Sequence, residues 1–596
     1  MTPPGVVFLI RAFPRLVCPS LIAYGCLRVL ENMREIRMPA WMDICVAVFV
    51  HPLLWTAQGV YAEMQTRSKA ATAAADVPPL VPSALPWGLS HLIALRRSAK
   101  AGLLAQIFGD WAKNVGSNVY RVNFQGDVRI VTFEPDHVKA ILATQFEDFV
   151  KGPLLYDLLY SLLGSGVFNS DGEMWKFHRT MTRPFFNKEK IAHFDNFDRH
   201  ADDIIRQAKT RLAEGFPIDF QDMVSRFTLD SATEFLFGHD VNSSGAGLPY
   251  PPTSSHFNSP EFHNHPSNRF VTAFGEGQEL SSMRSRAGTA WRLLEFWKDN
   301  VKPCRDIVDD LVREILADSA QMKLDIEAKK APSETKPGDN DTLLQHLVTF
   351  TQDQNILADE IVNLLVAGRD TTAGTLTFGV YKLAEHPDIA DKLRAEILDK
   401  IGPTRRPTYD DIRDMKYLRA FLNEVLRLYP IVPVNSRTAN KDTLLPYKDA
   451  DKRPVFVPKG TRCFYSVYLM HRRTDLWGPD AGKFDPDRFI DERLQKYLTH
   501  NPYIFLPFNG GPRICLGQQF AYNEMSFFLV RLLQNFTACS LADDAQPRDS
   551  IKQFRTADTP DSELEKRVFA SHLTMYLKDG LWVRMTEAPA AEEDSI

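Results

Sequence analysis

Two apolar stretches open the chain, and helical periodicity governs most of the remaining residues. Val6 to Leu30 is interrupted by Arg11, Pro14 and Arg15, so it fits an interfacial or signal-like segment as well as a membrane span. Trp41 to Tyr61 has about the length needed to cross a bilayer. Asp43 lies at its edge, near water, while His51 and Pro52 fall inside it. A buried core helix is the alternative. The basic flank of Arg67, Lys69, Arg96, Arg97 and Lys100 favours an anchor with that side toward the cytosol. Pro78, Pro79, Pro82 and Pro86 make the next stretch stiff and non-helical. The pattern therefore predicts an anchor region over 1–76, a proline-rich hinge over 77–100, one large domain over 101–585 and an acidic tail over 586–596. The tail ends Glu592-Glu593-Asp594-Ser595-Ile596 and reads as disordered.

Inside the large domain, the spacing of apolar residues predicts helix over Phe185–Phe237 and Trp291–Ala317. Ala101–Val150 mixes helix and strand, with Val119–Phe124 and Val128–Val131 as the two arms of a hairpin. Asn242–Asn268, rich in Ser, Pro, Asn, Gly and His, reads as a long loop; Asp318–Asp341 reads as a charged, solvated connection. His239, His256, His263 and His265 could suggest metal, but a histidine-bearing loop is the simpler reading.

Composition alters this little. With 596 residues, 44% of them apolar and 24% charged, the balance is that of a globular protein, and a net charge of −5 gives no argument for nucleic acid. Seven cysteines (Cys18, Cys26, Cys45, Cys304, Cys463, Cys515 and Cys539) are scattered without a CxxC pair. A disulfide framework or zinc site is not expected, and a reducing compartment is.

The candidate chemistry centres on Cys515. The run Phe508-Asn509-Gly510-Gly511-Pro512-Arg513-Ile514-Cys515-Leu516-Gly517 precedes a helical stretch from Gln518 to Leu533. A thiolate there would sit at a helix N-terminus, where N–H groups and the dipole lower its pKa. Gly510, Gly511 and Gly517 allow tight turning and close approach of a flat ligand, and Arg513 adds a fixed positive charge. The pattern F-x-x-G-x-R-x-C-x-G resembles the haem-binding signature of the cytochrome P-450 superfamily at Phe508, Gly511, Arg513, Cys515 and Gly517. A structural cysteine in a helix-entry loop would not require all five.

Three more motifs carry the resemblance. Leu357–Glu385 is long enough for a central helix, broken by the poor helix-forming run Ala367-Gly368-Arg369-Asp370-Thr371-Thr372. A threonine hydroxyl bonded one turn back would bend it and leave a notch with an acid and an alcohol. Glu424 and Arg427 share a helical face inside an apolar run, which argues for a buried pair rather than a surface one. Trp175 and Arg179 lie one turn apart and can reach one carboxylate together, by N–H donation and by charge.

The resemblance implies a mainly α protein with small β-sheets in the cytochrome P-450 fold, a single haem-binding domain behind an N-terminal membrane anchor. Cys515 would be the iron ligand of haem b (iron protoporphyrin IX); Trp175, Arg179, Arg437 and Arg513 would serve its propionates. Thr371 and Asp370 would handle proton delivery during oxygen activation. Glu424, Arg427 and Arg488 would form a buried triad that holds the cysteine loop. The resemblance spans about residues 100–585 and leans toward the fungal alkane and fatty-acid hydroxylases, through Ala367–Gly374, Val432–Arg437, Gln518–Ala521 and Glu234–Gly238. Two features depart from that group: a longer loop after His239, and Phe489 where the group commonly has Trp.

By position in the motif frame, the substrate would meet the stretch after Gly152, then Leu365, Val366, Val432, Val434, and the C-terminal hairpin around Leu573, Thr574 and Met575. These positions are mostly apolar or small. The resulting expectation is a monooxygenase acting on unactivated C–H bonds of hydrophobic molecules, long-chain alkanes or fatty acids, at the endoplasmic reticulum membrane with the catalytic domain in the cytosol. It would use O₂ and electrons from a separate NADPH-dependent flavoprotein reductase docking on the cysteine side. A haem-thiolate isomerase or dehydratase acting on peroxides, and a haem-binding sensor, are the alternatives; neither needs the Asp370-Thr371 pair.

Overall fold

The computed structural model describes residues 2–34, 39–100, 105–187, 191, 194–317, 342–552 and 565–589. The expected tail residues Glu592–Ile596 and the charged connection 318–341 lie outside them. Helices dominate the described chain, with small sheets at the edges, as the sequence predicts.

Helices α1 (Pro4–Arg34) and α2 (Ala40–Thr72) pack antiparallel. Ser20 Oγ meets the Ala47 carbonyl and the His51 ring, each at 3.0 Å. Arg28 bonds Glu31 and Asp43 at 2.6 and 2.7 Å. Both helices are long and apolar enough to cross a membrane, and they leave large side chains such as Trp41 and Trp55 exposed. The interruption expected at Arg11, Pro14 and Arg15 is absent: α1 runs through Pro14 and Pro19. Each proline removes one intrahelical bond, which so apolar a helix tolerates, and the two arginines point outward.

The proline-rich stretch is docked rather than free. Val81 N–H donates to the Arg121 carbonyl at 2.9 Å, and Arg121 N–H to Pro79 at 2.7 Å. Its second half is not extended, because α3 (Leu89–Lys100) is a helix that presents Leu92 and Leu95 to a core cluster.

After α4 (Gln106–Val115) come β1 (Val119–Phe124) and β2 (Asp127–Thr132), the predicted hairpin, in register from Val119↔Thr132 to Phe124↔Asp127. Its two-residue turn has positive φ at Gln125 (55°) and Gly126 (86°), the geometry that twisted hairpins favour. With β3 (Phe149–Val150), β4 (Asn435–Ala439) and β5 (Arg462–Tyr465), the hairpin forms a sheet in the order β1-β2-β5-β4-β3.

The helical body comprises α5 (Pro153–Leu163), α6 (Gly172–Thr182), α7 (Asp195–Ala213), α8 (Phe220–Phe237), α9 (Pro266–Ala287) and α10 (Lys302–Leu316). The predicted loop 242–268 is only partly irregular: Pro260–Asn264 is a helical turn and α9 begins at Pro266, prolines serving as first helical residues. Its histidines do not converge. His256 packs on Phe216, His265 bonds Ser267, and His239 sits 3.5 Å from Glu314.

At the centre, α11 (Gln354–Leu365) continues through a π-helical turn, Val366–Asp370, into α12 (Thr371–Glu385). Leu376, Phe378 and Tyr381 of α12 pack with Phe421 and Val425 of α13 (Lys416–Leu428) and with Phe527 and Phe528 of α14 (Gln518–Asn535). The chain closes with the short antiparallel pair β6 (Phe569–Ser571) and β7 (Met575–Leu577) and the strand Trp582–Glu587.

Candidate active site

The cysteine loop is built by two left-handed residues and one close approach. Asn509 and Gly511 have φ of 64° and 68°, and a Cβ on Gly511 would lie 1.8 Å from the Leu142 carbonyl oxygen. Only glycine fits there. Gly510 and Gly517 have ordinary backbone geometry (φ −158° and −82°), so the turn does not require them; a Cβ on Gly517 would meet nothing nearer than Phe186 at 3.7 Å. Cys515 N–H donates to the Phe508 carbonyl at 3.1 Å, and the Phe508 ring rests on Tyr522 of α14.

Cys515 retains accessible surface although protein surrounds it on nearly all sides. Burial raises its thiol; the Gly517 N–H and the Arg179 charge oppose this and are outweighed. The lowering expected at a helix N-terminus is therefore present but loses to desolvation. A coordinated metal ion would reverse the balance, since its charge deprotonates a ligating thiol outright.

Positive charge accumulates around this loop. Arg513 donates to Asp171 at 2.8 Å and to the Ser170 carbonyl at 2.9 Å, and lies over the Trp175 ring at 4.4 Å. Burial, with Arg437 next, pulls its pKa down to about 10. Arg437 is buried, in contact with the Asn435 side chain and the Ser436 carbonyl. Arg179 makes no hydrogen bond or ion pair among the described residues. Lys151, which sequence reasoning missed, joins them: burial and then the charges of Arg437 and Arg513 push its ammonium well down. Four cations with Asp171 as the one nearby acid among the described residues are an unbalanced cluster, and two carboxylates of a flat cofactor would balance it. The donor set beside an accessible thiol thus fits haem.

The central helix carries the notch. Thr371 Oγ1 donates to the Ala367 carbonyl at 2.7 Å across the π turn, the bend that its sequence predicts. Gly368 admits α8, since a Cβ there would sit 3.0 Å from that of Ala232. Asp370 is held by Arg369 at 2.7 Å and by Gln278 of α9 at 2.8 Å.

Below the loop, Arg427 and Glu424 form a doubly bonded pair at 2.7 Å, both fully buried. Arg488 lies 3.7 Å from Glu424 and bonds chiefly to Asp480 and to the Trp477 carbonyl. Phe489, where the fungal hydroxylase group commonly has Trp, packs against Trp477 and Phe505. A buried histidine with no motif around it completes the link. His471 Nδ1–H donates to the Arg427 carbonyl at 3.0 Å while Nε2 accepts from Leu506 N–H at 3.0 Å, joining the buried pair to the run that leads into the cysteine loop.

A cavity of about 310 Å³ is lined by Leu155, Leu159, Val432, Val434, Leu573 and Met575 among others. Three expected substrate contacts do not reach it. Leu365 and Val366 are packed into the helical core, and Thr574 turns back to His572.

An accessible cysteine beside a cluster of cations, in a chain whose central helix carries an acid–alcohol pair at a π turn, defines a haem-thiolate type of site. The family model for Cytochrome P-450 matches residues 79–561. Similar curated proteins include cytochrome P-450 52E1 of Candida apicola, 36% identical over 80% of this chain and 89% of that protein. Cytochrome P-450 52A3-A of Candida maltosa is 37% identical over 77% and 86%. Cytochrome P-450 monooxygenase g430 of a Fusarium species is 36% identical over 79% and 80%. The chain belongs to the cytochrome P-450 family and is an oxidoreductase with a haem-iron cofactor.

Proposed function

We propose that the protein hydroxylates long-chain aliphatic substrates, alkanes or fatty acids, at an unactivated C–H bond, with haem b as cofactor. The observation that carries this reading is the cavity with many apolar lining residues, whose wall at Met575 packs against the central helix at Gly374, three residues after Thr371. The likeness to the fungal hydroxylase group adds the substrate class. Cys515 would hold the iron, while Arg179, Arg437, Arg513 and Trp175 would seat the propionates. Bound haem supplies oxygen activation and insertion. The chain's own part is to bind, orient and move protons. Thr371 offers its hydroxyl at the notch and Asp370 exchanges protons with it, while Arg369 and Gln278 keep that carboxylate in place. The apolar walls hold the chain and exclude water.

Electrons would come from a separate NADPH-dependent flavoprotein reductase approaching on the cysteine side. α1 and α2 would anchor the protein in the endoplasmic reticulum membrane, with the basic flank and the catalytic domain in the cytosol. The test is reconstitution in membranes with reductase, NADPH and a saturated C₁₂–C₁₆ acid or alkane series. Hydroxylated product that requires O₂ and NADPH is expected. Turnover of organic peroxides without either would select the isomerase reading instead. Cys515→Ser should abolish the red-shifted Soret band of the reduced, carbon monoxide-treated protein; a retained band would remove Cys515 as the ligand.

A further inference from the structure

Outside the site described above, three elements bring metal-ligating side chains together. His200 of α7, Asp230 of α8 and Asp240, in the turn that follows α8, each place one ligand atom within 4.8 Å of the other two. His200 and Asp230 are buried and Asp240 is exposed. The histidines at 239, 256, 263 and 265 are not part of this group.

Asp230 is the residue that calls for a cation. Its side chain is fully buried, and its hydrogen-bond partners among the described residues are neutral, the N–H groups of Ser243 and Ser244 at 2.6 and 2.9 Å. Burial pushes its pKa up, against the contacts with those two serines. A buried carboxylate is ordinarily paired with a cation or bound to a metal. His200 is set up as the second ligand. It is 6% exposed, its Nε2 lies 2.8 Å from Glu234 Oε2, and no hydrogen bond engages its Nδ1 among the described residues. A carboxylate on one ring nitrogen fixes the ring and its tautomer, so that Nε2 donates and Nδ1 keeps a lone pair; metal-bound histidines are held in this way. Glu234 is itself paired with Arg199, so it orients the ring without adding a free charge. Asp240 accepts the Asn242 N–H at 2.8 Å, and its exposure gives an ion a way in.

We propose that His200, Asp230 and Asp240 bind a divalent transition-metal ion, with water completing its coordination. One imidazole with two carboxylates suits zinc or manganese, whereas calcium and magnesium take oxygen ligands. The ion ties α7, α8 and the turn after α8 together. Its position also bears on the central helix. Thr228, two residues before Asp230, donates to the Arg369 carbonyl at 3.1 Å, and Ala232, two residues after it, packs at Gly368. An ion at Asp230 therefore stiffens the helix that backs the notch.

The test is zinc titration of the full-length, haem-loaded protein, free of any polyhistidine tag, after chelator treatment and dialysis. Calorimetry should show one zinc ion per chain, and the melting temperature should rise with zinc concentration. Asp240→Asn, a change at an exposed side chain, should weaken binding about tenfold or more, and His200→Gln should abolish it. Glu234→Gln should weaken it roughly ten- to a hundredfold by releasing the ring. His256→Gln, in the neighbouring loop, should bind zinc as the native protein does. The carbon monoxide band of each variant reports whether the haem domain is intact; if His200→Gln loses it, Asp240→Asn alone decides. A native protein that gives no binding heat with zinc or manganese overturns the inference. So does native-like zinc affinity in Asp240→Asn. Loss of binding in His256→Gln instead would mean an adventitious ion only.

Discussion

Thr371 stands where the central helix leaves α geometry, and its hydroxyl is the one side-chain group that spans the π turn, by its bond to the Ala367 carbonyl. Removing that hydroxyl deletes one weak bond, worth on the order of 1 kcal/mol, so the fold should survive. Proton delivery should not. Thr371→Ala is expected to keep its thiolate Soret band and its substrate-induced spin shift while NADPH consumption yields hydrogen peroxide in place of product. Undiminished coupling would take Thr371 out of the mechanism. Glu424 makes a sharper structural case. It is fully buried and faces Arg427 at 2.7 Å, so Glu424→Leu leaves a buried guanidinium with only carbonyl partners. Breaking such a pair costs about 3–5 kcal/mol. The variant should lose haem at markedly lower temperature than the native protein, and equal thermal retention of the haem band would show that the pair is dispensable.

Three helices meet at one carboxyl that no motif announces. Glu524 of α14 is fully buried; the Ser231 hydroxyl of α8 donates to it, Thr372 of α12 acts on it, and its Oε2 has no hydrogen-bond partner. Burial pushes its pKa up to about 8 from an ordinary 4.5. The folded protein therefore keeps a proton there that the unfolded chain releases. Its contribution to stability is complete below about pH 4.5 and is lost as pH rises through about 8, by at most about 1.4 kcal/mol per pH unit. Glu524→Gln, which cannot titrate, should gain stability relative to the native protein between pH 5 and 8, and parallel melting profiles for the two would rule this out. His471 has the opposite sign. Its pKa is lowered by burial to about 3, so its stabilisation is lost as pH falls from about 6.5 toward 3. Neither residue was legible in the sequence, because each takes its meaning from elements far apart in the chain: Glu524 from Ser231, His471 from Leu506. The legible features were local ones. The β1–β2 hairpin, the bent helix at Thr371 and the Glu424–Arg427 spacing each depend on neighbours within a few residues. Of the positions named for the substrate wall, Val432, Val434 and Met575 line the cavity. Leu365 and Val366 lie outside it, buried in the helical core just before and at the start of the π turn.

At the scale of the molecule, the membrane helices and the catalytic body are one mechanical unit. The last turns of α2 carry three contacts into the body. Glu63 bonds Arg121 at 2.6 Å, Lys69 bonds Asp442 at 2.8 Å, and Ala70 packs with Ala75 and Phe456. Arg121 is the important partner. Its side chain is 7% exposed, it sits on β1, and its other side-chain acceptor is the Pro78 carbonyl. The polar contacts of α2 with the body therefore lie inside the helix, beyond residue 60, while Trp55 meets Trp87 edge-on at 5.8 Å and Gly5 N–H donates to the Phe296 carbonyl at 2.9 Å. Two shortened chains separate the alternatives. One beginning at Gly59 loses α1 and most of the apolar part of α2 but keeps Glu63, Lys69 and Ala70; it should leave the membrane and melt close to the full protein in detergent. One beginning at Val77 loses the same membrane affinity and also strands the Arg121 guanidinium, a deficit of about 1–3 kcal/mol because Glu63 is one-third exposed and its charge partly screened. Arg121→Met in that shorter chain should recover part of the loss, since an apolar side chain needs no anion. If both shortened chains melt alike, and Arg121→Met changes neither, then α2 is only a tether and the body ends at the proline-rich stretch.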